Sequence, residues 1–589
     1  MAWSELRQKI TKLGGVLAIA PSVAGLVIAG SLTGIYQTLE WSILDQWFRT
    51  RSSEAKETRV VVVEIGESDI SELGEWPMSD GVMAELLSKI KQQQPRVIGL
   101  DLYRDLKQGE PAEQKRLEDF FRATPNIIGV EKAINDQVKP SPILKEIGQV
   151  AMPDFVLDAD GKARRALMLI GYDDGDVGFS LGTLTALMYL EQEGILLEDG
   201  AEATEKMLGD TKLAALKSNS AGYINADAAG FQTLINYRGQ EESFIHTSLT
   251  DILQNQIADD IFRDHIVLIG ATAPSLNDFF YTPYSSLSQS SQRMPGVYVH
   301  ANIASQIIST AIDGRTMLGG ISESGEWLWI LGWSFVGSGL SLVLLQMNLL
   351  QKDSFASIKL TVLGIVIPVG MLLTSSYLLF LAGYWLPTIA PLIAFVGANL
   401  VATGFYYQNQ KRIAFTDGLT KIANRRFFDQ FIKQQWSRCQ RDDQDLAIIL
   451  CDVDFFKIYN DTYGHQQGDN CLQKLASALS DSVRGNDLAA RYGGEEFVVV
   501  LPDSNPETAK LVAQRIRSKL KAMQIPHEGS KASKYVSISM GIASVYYNKA
   551  ISPKELIDIA DEALYKAKEQ GRDCAVVGKP IENETELES

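Results

Sequence analysis

Cysteine is scarce in this chain of 589 residues, and the few that occur are unevenly placed. None of the four cysteines lies among residues 1–438. This absence excludes a disulfide-stapled fold for that part of the chain, and the low count fits a reducing compartment for the rest. The cysteine spacing matches no metal-ligand pattern, so we interpret these side chains as buried or neutral thiols: Cys439, Cys451, Cys471 and Cys574.

An excess of positive charge is also lacking. The chain has 55 Lys and Arg residues against 72 Asp and Glu residues, and its formal net charge is −17. This balance disfavours a surface that binds polymeric nucleic acid, and no nucleic-acid partner is expected. A single nucleotide remains compatible with the charge, because metal ions screen its phosphates. At about 150 residues per domain, the length predicts two to four domains.

Long apolar runs, in contrast, are present in four places. Residues 13–36 carry no charge and are preceded by Arg7, Lys9 and Lys12. Their length favours an uncleaved membrane anchor over a cleaved signal peptide, whose apolar region is about 7–15 residues long. Three more runs are long enough to span a membrane: residues 327–345, 360–381 and 386–407. The alternative is that these runs form buried helices of a soluble protein.

Basic residues between and after these runs predict their orientation. Lys352 and Lys359 lie between the second and third runs, and Lys411 and Arg412 follow the last. The positive-inside rule then places the soluble parts on opposite sides of the lipid bilayer. The predicted parts are a cytoplasmic amino terminus, an outer domain, an inner domain and an acidic disordered tail: residues 1–12, 37–326, 408–578 and 579–589.

The outer part alternates short apolar runs with helical patterns, which predicts an α/β domain with a largely parallel sheet. It shows no nucleophile–base set and no metal cluster. Three isolated histidines are interpreted as structural: His246, His265 and His300. The predicted strands and helices are Val60–Ile65, Val97–Leu102, Ile127–Val130 and Ile266–Gly270, with Met83–Lys91 and Leu181–Glu193.

Short motifs in the outer part resemble the CHASE2 family of extracytoplasmic sensor domains. They are Asp45–Arg49, Val60–Gly66, Gly99–Asp101, Gly270–Ala273 and Gly296–Asn302. The resemblance implies a sensor of an unknown extracytoplasmic ligand or partner. Because ligands favour the carboxyl edge of α/β sheets, Asp101, Arg104 and Asp105 are candidates to line a pocket, with structural salt bridges as the alternative.

The inner part contains Gly-Gly-Glu-Glu-Phe at residues 493–497, set between short apolar runs that predict a tight β-hairpin. Glycine admits a close approach of backbone or phosphate. Asp452 and Asp454 lie at the end of a predicted strand, Leu446–Val453, where their carboxylates make a hard oxygen site suited to Mg²⁺, with an ordinary turn as the alternative. If that strand pairs with the hairpin, Asp452 joins Glu495 and Glu496 in a three-carboxylate cluster whose repulsion a cation relieves.

Motifs in order along residues 410–577 resemble the GGDEF family of diguanylate cyclases. They are Asp417–Thr420, Asp452–Lys457, Asn460–His465, Gly468-Asp469, Arg491–Phe497, Ser539–Ala543 and Ala563–Arg572. The resemblance implies a ferredoxin-like, palm-type domain that condenses two GTP into cyclic di-GMP and two pyrophosphates in a homodimer. The whole chain resembles a CHASE2-containing diguanylate cyclase of the bacterial inner (plasma) membrane, a multi-domain α/β membrane protein.

The resemblance also implies roles for individual residues. Mg²⁺, or Mn²⁺ in its place, would be held by Asp452, the Val453 carbonyl and Glu495, and the catalytic set would be Glu495 as base, Glu496 and Lys457. The guanine base would meet Asn460, His465 and Asp469. The triphosphate would meet Phe455, Phe456, Lys457, Gly493, Gly494, Lys568 and Arg572. An inhibitory site for the cyclic di-GMP product would comprise Arg484, Asp487 and Arg515.

Two alternatives remain from the sequence. A catalytically silent receptor would bind cyclic di-GMP through Arg484 and Asp487, but the intact hairpin disfavours it. An adenylate-type cyclase on the same fold is disfavoured by Asn460 and Asp469, since a carboxylate at the base accepts from guanine N–H groups that adenine lacks.

Overall fold

The computed structural model describes residues 2–132, 138–172, 176–201, 205–220, 222–285, 293–350, 354–442, 444–545 and 552–578. The predicted acidic tail, residues 579–589, lies outside the described residues. Contacts along the chain divide the protein into two compact units, an amino-terminal unit Met1–Thr403 and a carboxyl-terminal unit Gly404–Ser589.

The amino-terminal unit combines apolar helices with a soluble α/β domain. Its helices are α1 Ala2–Ser31, α2 Gln37–Thr50, α3 Glu67–Leu73, α4 Asp80–Gln92, α5 Pro111–Arg122, α6 Pro142–Glu146, α7 Leu181–Glu191, α8 Leu249–Leu253, α9 Gly296–Ile312, α10 Glu323–Leu350, α11 Ser354–Leu381 and α12 Ile389–Phe415, the last of which continues into the second unit. Its strands are β1 Glu57–Ile65, β2 Val97–Asp101, β3 Ile127–Val130, β4 Val150–Ala151, β5 Val156–Leu157, β6 Ala163–Gly171, β7 Val177–Phe179, β8 Leu197–Asp199, β9 Lys206–Leu208, β10 Thr211–Lys212, β11 Phe231–Leu234, β12 Phe244–Ser248, β13 Ile266–Ala271, β14 Phe279–Phe280, β15 Met294–Pro295, β16 Gly319–Gly320 and β17 Tyr384–Trp385.

Within the described residues, four helices are long and apolar enough to cross a membrane, and they correspond to the four long apolar runs of the sequence. Their apolar windows are Gly14–Ser31, Glu323–Met347, Ala356–Leu381 and Ile389–Lys411. The first helix ends at Ser31, before the end of the predicted span 13–36. The helix cannot continue there because Gly34, with a φ of 76°, turns the backbone into the left-handed region.

Small residues bring the apolar helices close together. A Cβ on Gly337 of α10 would stand 2.2 Å from the Phe395 carbonyl oxygen of α12, so this contact requires glycine. Asn399 Nδ2 donates to the Gly337 carbonyl at 3.2 Å, and Ser334 Oγ of α10 donates to the Ala20 carbonyl of α1 at 2.8 Å. Small residues and interhelical hydrogen bonds are the features that hold helices together in lipid.

The soluble domain between α1 and α10, the amino-terminal domain, is built on a six-stranded sheet in the order β12-β1-β13-β2-β3-β4. All neighbouring strands in it are parallel, which confirms the predicted sheet and its four predicted strands. The apolar residues of α7 and α9 cover one face, and those of α4, α5 and α8 cover the other. A smaller antiparallel sheet, β11-β6-β5 with β7, packs beside it.

A buried ionic network joins α2 to this smaller sheet. Asp45 of α2 accepts hydrogen bonds from Lys162 Nζ at 2.7 Å and from Arg164 Nε at 2.8 Å. Arg164 also pairs with Asp158 and Asp160, at 2.8 and 2.7 Å. Burying charges is tolerated when their donors and acceptors are all matched. The network therefore gives the Asp45–Arg49 motif a structural role in fixing the helix that follows α1.

The carboxyl-terminal unit is a second α/β domain. Its helices are α13 Arg425–Asp442, α14 Phe456–Tyr463, α15 His465–Ser480, α16 Pro506–Ala522 and α17 Pro553–Glu569, and its strands are β18 Ala423–Asn424, β19 Leu446–Val453, β20 Leu488–Arg491, β21 Glu496–Pro502, β22 Ile538–Val545 and β23 Ala575–Val577. The sheet order is β18-β20-β21-β19-β22-β23. Helices α15 and α16 pack on one face of the sheet, and α13 and α17 on the other, so β19 is buried along its whole length.

Glu40 on α2 is a buried carboxyl group at the amino terminus of α12. It accepts hydrogen bonds from the backbone amides of Thr388, Ile389 and Ala390 at 2.7, 2.8 and 3.1 Å. These are amides that a helix leaves unpaired at its start. Burial nevertheless raises the pKa of Glu40 from 4.5 to about 7, since the three amides only partly offset the desolvation. The side chain therefore ties α2 to α12 in a way that depends on its proton.

The Glu40 carboxyl group is expected to make stability fall with rising pH. Its folded pKa of about 7 exceeds its ordinary value of 4.5, so its stabilising effect is present below pH 4.5 and is lost as the pH rises to 7. Glu40→Gln, which stays neutral, should flatten the dependence of the thermal unfolding midpoint on pH in this window. The exposed Glu198→Gln is the matched control. A slope unchanged from the wild type in Glu40→Gln would contradict this account.

Candidate active site

The centre of the candidate site is the carboxyl end of β19. Asp452 pairs with Glu496 on β21 and with Ser539 on β22, which confirms the predicted pairing of this strand with the hairpin. The chain then turns at Phe455, whose φ of 55° lies in the left-handed region, and α14 begins at the next residue. Side chains adopt this conformation at a cost, and such strain is frequent at functional sites.

The Gly493–Phe497 segment closes the hairpin between β20 and β21, as the sequence predicted. The Tyr492 and Gly493 amides donate to the Glu496 carbonyl at 2.9 and 3.2 Å. A Cβ at Gly493 would stand 2.5 Å from Glu496 Oε2, so glycine leaves room for that carboxylate. The hairpin tip is thus narrow, exposed at Gly494 and acidic on the strand that leaves it.

Arg491 anchors this hairpin to the turn that follows α12. Its Nε and Nη2 donate to the Gly494 carbonyl at 3.1 and 2.6 Å, and its Nη1 lies 3.3 Å from Asp417 Oδ1. Asp417 also accepts from the amide and hydroxyl of Thr420 at 2.8 and 2.7 Å. Desolvation opposes these donors, but together they hold the pKa of Asp417 below its usual range. The Asp417–Thr420 motif, to which the sequence assigned no role, therefore positions the hairpin.

Two acidic side chains at the site are only partly compensated. Burial raises the pKa of Asp452, although Lys568 Nζ lies 3.0 Å from Asp452 Oδ2 and opposes the shift. Burial also raises the pKa of Glu495, and the Asp452 charge raises it further. A pair of carboxylates that resist ionisation together is a common sign of a functional site.

The predicted cluster of three carboxylates does not form as expected. No group of three His, Cys, Asp or Glu side chains is close enough to hold a metal ion within the described part of the chain. Glu495 lies at the hairpin tip just before β21, and Glu496, which pairs across the sheet with Asp452, is exposed. The carboxylates of Asp452 and Glu495 remain, and with the Val453 carbonyl they supply the hard oxygen donors that Mg²⁺ prefers. The residues present therefore fit a divalent cation.

Asp454 was considered with Asp452 as a metal donor, and the structure gives it another role. Its carboxylate accepts from Ser537 Oγ, Ser539 Oγ and the Asp573 amide at 2.7, 2.6 and 3.0 Å. These donors occupy the group and tie β19 to β22 and to the loop after α17. The two serines two residues apart on one strand are the only sequence signal that hints at this arrangement.

Arg572 is positioned by that loop. It has a φ of 65°, and its guanidinium lies 4.4 Å from the centroid of the Phe455 ring. Burial raises the pKa of Asp452, and the positive charge of Arg572 partly opposes this rise, so Arg572 interacts electrostatically with the acidic pair. Lys568, one turn earlier on α17, approaches the same group. The structure thus brings Lys568 and Arg572 to the same carboxylate. Their spacing of four residues predicts a shared helix face, but this is wrong because α17 ends at Glu569, before Arg572.

Asn460 on α14 presents a buried acceptor with no partner. Its Oδ1 has no hydrogen bond among the described residues. A Cβ at Gly468 would stand 1.8 Å from this oxygen, so α15 approaches it closely only because residue 468 is glycine. Asp469 and His465 lie exposed on the first turns of α15. An unpaired buried acceptor beside an exposed carboxylate is suited to a ligand with adjacent N–H donors.

The residues expected to meet a triphosphate divide into two groups. Lys457 at the start of α14 is exposed and free to meet an anion near the helix amino terminus. Phe456, in contrast, is 6% exposed and its ring stacks parallel to that of Tyr459 at a centroid distance of 6.2 Å. The Phe456 side chain therefore belongs to the core, and only its backbone faces the turn.

Two residues of the expected inhibitory site, Arg484 and Asp487, lie in the loop before β20, and Arg515 approaches this loop from α16. The Arg484 amide donates to Asp487 Oδ2 at 2.7 Å, and Arg515 Nη1 of α16 donates to the Ser482 carbonyl at 3.1 Å. Burial raises the pKa of Asp487, and the charges of Arg484 and Arg515 oppose that shift. Because Arg484 is exposed, its guanidinium is available to an anionic ligand.

Comparison with known proteins relates both units to families. Residues 22–339, more than half of the chain, match the family model "CHASE2 domain", and residues 414–574 match "Diguanylate cyclase, GGDEF domain". Diguanylate cyclase DosC of Escherichia coli (strain K12) is 38% identical over 26% of this chain and 33% of its own length. Response regulator PleD of Caulobacter vibrioides (strain NA1000 / CB15N) is 38% identical over 28% of this chain and 36% of its own.

The chain therefore spans about a third of the length of these curated relatives. Among solved structures, the active GGEEF domain of a diguanylate cyclase from Vibrio cholerae is 30% identical, with a TM-score of 0.25, over 27% of this chain and 99% of that one. The two matched segments follow each other along the chain without overlap. The chain belongs to the CHASE2 domain family and carries a diguanylate cyclase GGDEF domain in its carboxyl-terminal unit.

Proposed function

We propose that this chain is a membrane-bound sensor diguanylate cyclase that condenses two GTP molecules into cyclic di-GMP and two pyrophosphates. The observation that carries the proposal is the partly compensated pair Asp452 and Glu495, set beside Lys568 and Arg572 at the Gly493–Phe497 hairpin. The sheet order β20-β21-β19-β22, within a β-α-β-β-α-β sequence of elements, supports the ferredoxin-like, palm-type assignment.

A divalent cation, Mg²⁺ or Mn²⁺, would be held by Asp452, Glu495 and the Val453 carbonyl. When bound, it would neutralise phosphate charge and make the ribose hydroxyl more acidic. Glu495 would accept the proton of that 3′-hydroxyl. Its raised pKa suits this role, because a base is most effective when its pKa approaches the working pH. Glu496, exposed at the start of β21 opposite Asp452, would assist in holding the cation.

The cationic residues would hold the triphosphate and stabilise the departing pyrophosphate. Lys568, Arg572 and Lys457 come from α17, the loop after it and the start of α14. They therefore approach the end of β19 from two sides. Because Gly493 and Gly494 have no side chains, the phosphates could approach the hairpin backbone closely. Most of the rate enhancement would come from this positioning and from charge stabilisation of the transition state.

Guanine would be selected by Asn460, Asp469 and His465. The unpaired Asn460 Oδ1 and the exposed Asp469 carboxylate are both acceptors, and guanine offers adjacent N1–H and N2–H₂ donors. Adenine has a lone acceptor at N1, which would leave these groups unpaired. A buried acceptor without a partner costs free energy, so the mismatch would disfavour ATP.

One domain would supply only half of the reaction site, because each GTP must attack the other. A homodimer that brings two hairpins face to face would be required. Cyclic di-GMP at Arg484, Asp487 and Arg515 would hold the domains apart and so inhibit synthesis. The four apolar helices would place the CHASE2 domain outside and the cyclase inside the plasma membrane of a bacterial cell, and a signal outside would change the geometry of the dimer.

Glu495→Gln is expected to lower kcat for cyclic di-GMP synthesis about 10²- to 10⁴-fold, because the amide cannot accept the hydroxyl proton. The measurement is product formed from GTP and Mg²⁺ by the full chain in detergent. Glu507→Gln, which removes only an exposed ion pair on α16, is the control. Equal rates for Glu495→Gln and the wild type would leave a silent receptor as the better account.

Asn460→Ala is expected to raise KM for GTP about 10- to 100-fold while leaving the slow turnover of ATP unchanged. The neighbouring exposed Asn470→Ala is the matched control. Rates with both nucleotides, measured across concentration, give the specificity ratio. A wild-type preference for ATP would instead favour the adenylate-type cyclase.

Arg484→Ala is expected to weaken inhibition by added cyclic di-GMP about 10- to 100-fold, since a charge-assisted contact to phosphate is lost. The exposed Arg438→Ala on α13 serves as the control. The readout is the inhibition constant from initial rates at several product concentrations. If Arg484→Ala has the inhibition constant of the wild type, cyclic di-GMP does not inhibit through this loop.

A further inference from the structure

A cavity of about 630 Å³ opens at the carboxyl edge of the parallel sheet in the amino-terminal domain. Its wall includes Asp101 at the end of β2 and Ala271 at the end of the neighbouring β13. The α-helix that follows β2 in the chain, α5, packs on one face of the sheet. The α-helix that follows β13, α9, packs on the opposite face. Open α/β sheets bind ligands in such crevices, and volumes of about 300–1,000 Å³ are typical of small-molecule sites.

The three residues that the sequence marked as pocket candidates, Asp101, Arg104 and Asp105, all line this cavity. Arg104 is already engaged, as in the salt-bridge alternative. It is buried, donates to the Met78 carbonyl at 2.8 Å and lies 3.5 Å from Asp80. Arg104 thus supports the wall, whose other charged residues are Lys132 and the acidic Asp101, Asp105, Asp154 and Asp278.

Asp101 is the acidic group that lacks compensation. Its side chain is 8% exposed, and its Oδ2 has no hydrogen-bond partner among the described residues. His300 Nε2 lies 4.0 Å away. Burial lowers the pKa of His300 to about 3, so the ring is neutral and brings no positive charge. Burial raises the pKa of Asp101, and the Asp278 charge raises it further, as expected for a carboxyl group without a cation.

Asp278 is another carboxyl group on the cavity wall, and burial raises its pKa to about 6. Glycines make room for both groups. A Cβ at Gly270 would stand 2.6 Å from Val297 Cβ and 3.3 Å from Asp101 Cβ, and one at Gly296 would stand 2.7 Å from Asp278 Oδ2. These glycines begin two of the motifs that the sequence singled out in this domain, so both motifs adjoin the acidic pair.

Aromatic rings complete the cavity. Phe155 and Phe280 line it with their centroids 4.7 Å apart, and Phe155 packs against His300 at 4.5 Å. Tyr103 also contributes to the wall. Ring faces attract cations, and ring edges and aliphatic walls accept a carbon skeleton. A bare metal ion fits less well, since no group of three metal-ligating side chains occurs within the described ranges.

We propose that this cavity binds a small organic ammonium ligand. Asp101 and Asp278 supply the counter-charge for its nitrogen, and the rings of Phe155 and Phe280 contact its carbon skeleton. No Lys or Arg lies within ion-pair distance of either carboxyl group in the described part of the chain, so the ligand supplies the missing charge. Binding in this cavity does not depend on nucleotide turnover by the carboxyl-terminal unit.

The test is titration calorimetry on the full chain in detergent. The probes are 2-phenylethylammonium, tetramethylammonium and 1,4-butanediammonium, with neutral 2-phenylethanol and Mg²⁺ for comparison. Asp101→Asn and Asp278→Asn remove one charge each with little change in size, and the exposed Asp259→Asn is the matched control. Because the wild-type Asp101 carboxyl is buried without a partner, Asp101→Asn should unfold at the same or a higher temperature, which shows that it folds.

At least one ammonium probe should bind the wild type and Asp259→Asn, with Kd at least about tenfold weaker in both cavity variants. The proposal is overturned if no ammonium probe binds at millimolar concentration. It is equally overturned if 2-phenylethanol or Mg²⁺ binds as tightly, or if Asp101→Asn binds unchanged. Cyclic di-GMP synthesis is measured separately, so an inactive cyclase would leave the binding result intact.

Discussion

Removing a carboxylate from water is costly unless donors or cations replace its hydration, and this constraint organises both units of the protein. Where the chain itself supplies enough donors or cations to replace the lost hydration, the carboxylate has a structural role and holds elements of the fold together. Asp45 binds Lys162 and Arg164, and Asp454 accepts three hydrogen bonds from β22 and the loop after α17. Each joins elements that are distant in sequence.

Where compensation is incomplete, the same constraint marks a site. Asp452 and Glu495 share Lys568 as their near cation, and both have raised pKa values because burial outweighs it. Asp101 has no cation within the described residues. In each case the missing charge would come from a ligand. The candidate active site and the cavity in the amino-terminal domain therefore follow one physical rule, although they lie in different domains and would bind different molecules.

The sequence predicted the elements that repeat a simple period. The apolar runs of the four long helices and of the buried strands Val60–Ile65 and Ile127–Val130 need only burial on all sides, so they can be recognised without partners. It also identified the hairpin and its pairing with β19, because Gly-Gly between two apolar runs has few other solutions. The end of α1 and the burial of Phe456 were less accessible, since a turn at Gly34 and a stacked Tyr459 decide them.

The sequence by itself determined which chemistry is available: acidic residues at strand ends, glycines where groups approach closely, and cations late in the inner domain. Tertiary structure decided how these groups are used. It engaged Asp454 and Asp417 in hydrogen bonds, left Asp452, Glu495 and Asp101 short of partners, and replaced the expected three-carboxylate cluster with a pair. The reason is physical. A carboxylate has a structural or a ligand-binding role depending on the hydrogen-bond donors around it. Those donors come from residues far away in the chain, so only the folded structure shows which carboxylates have them.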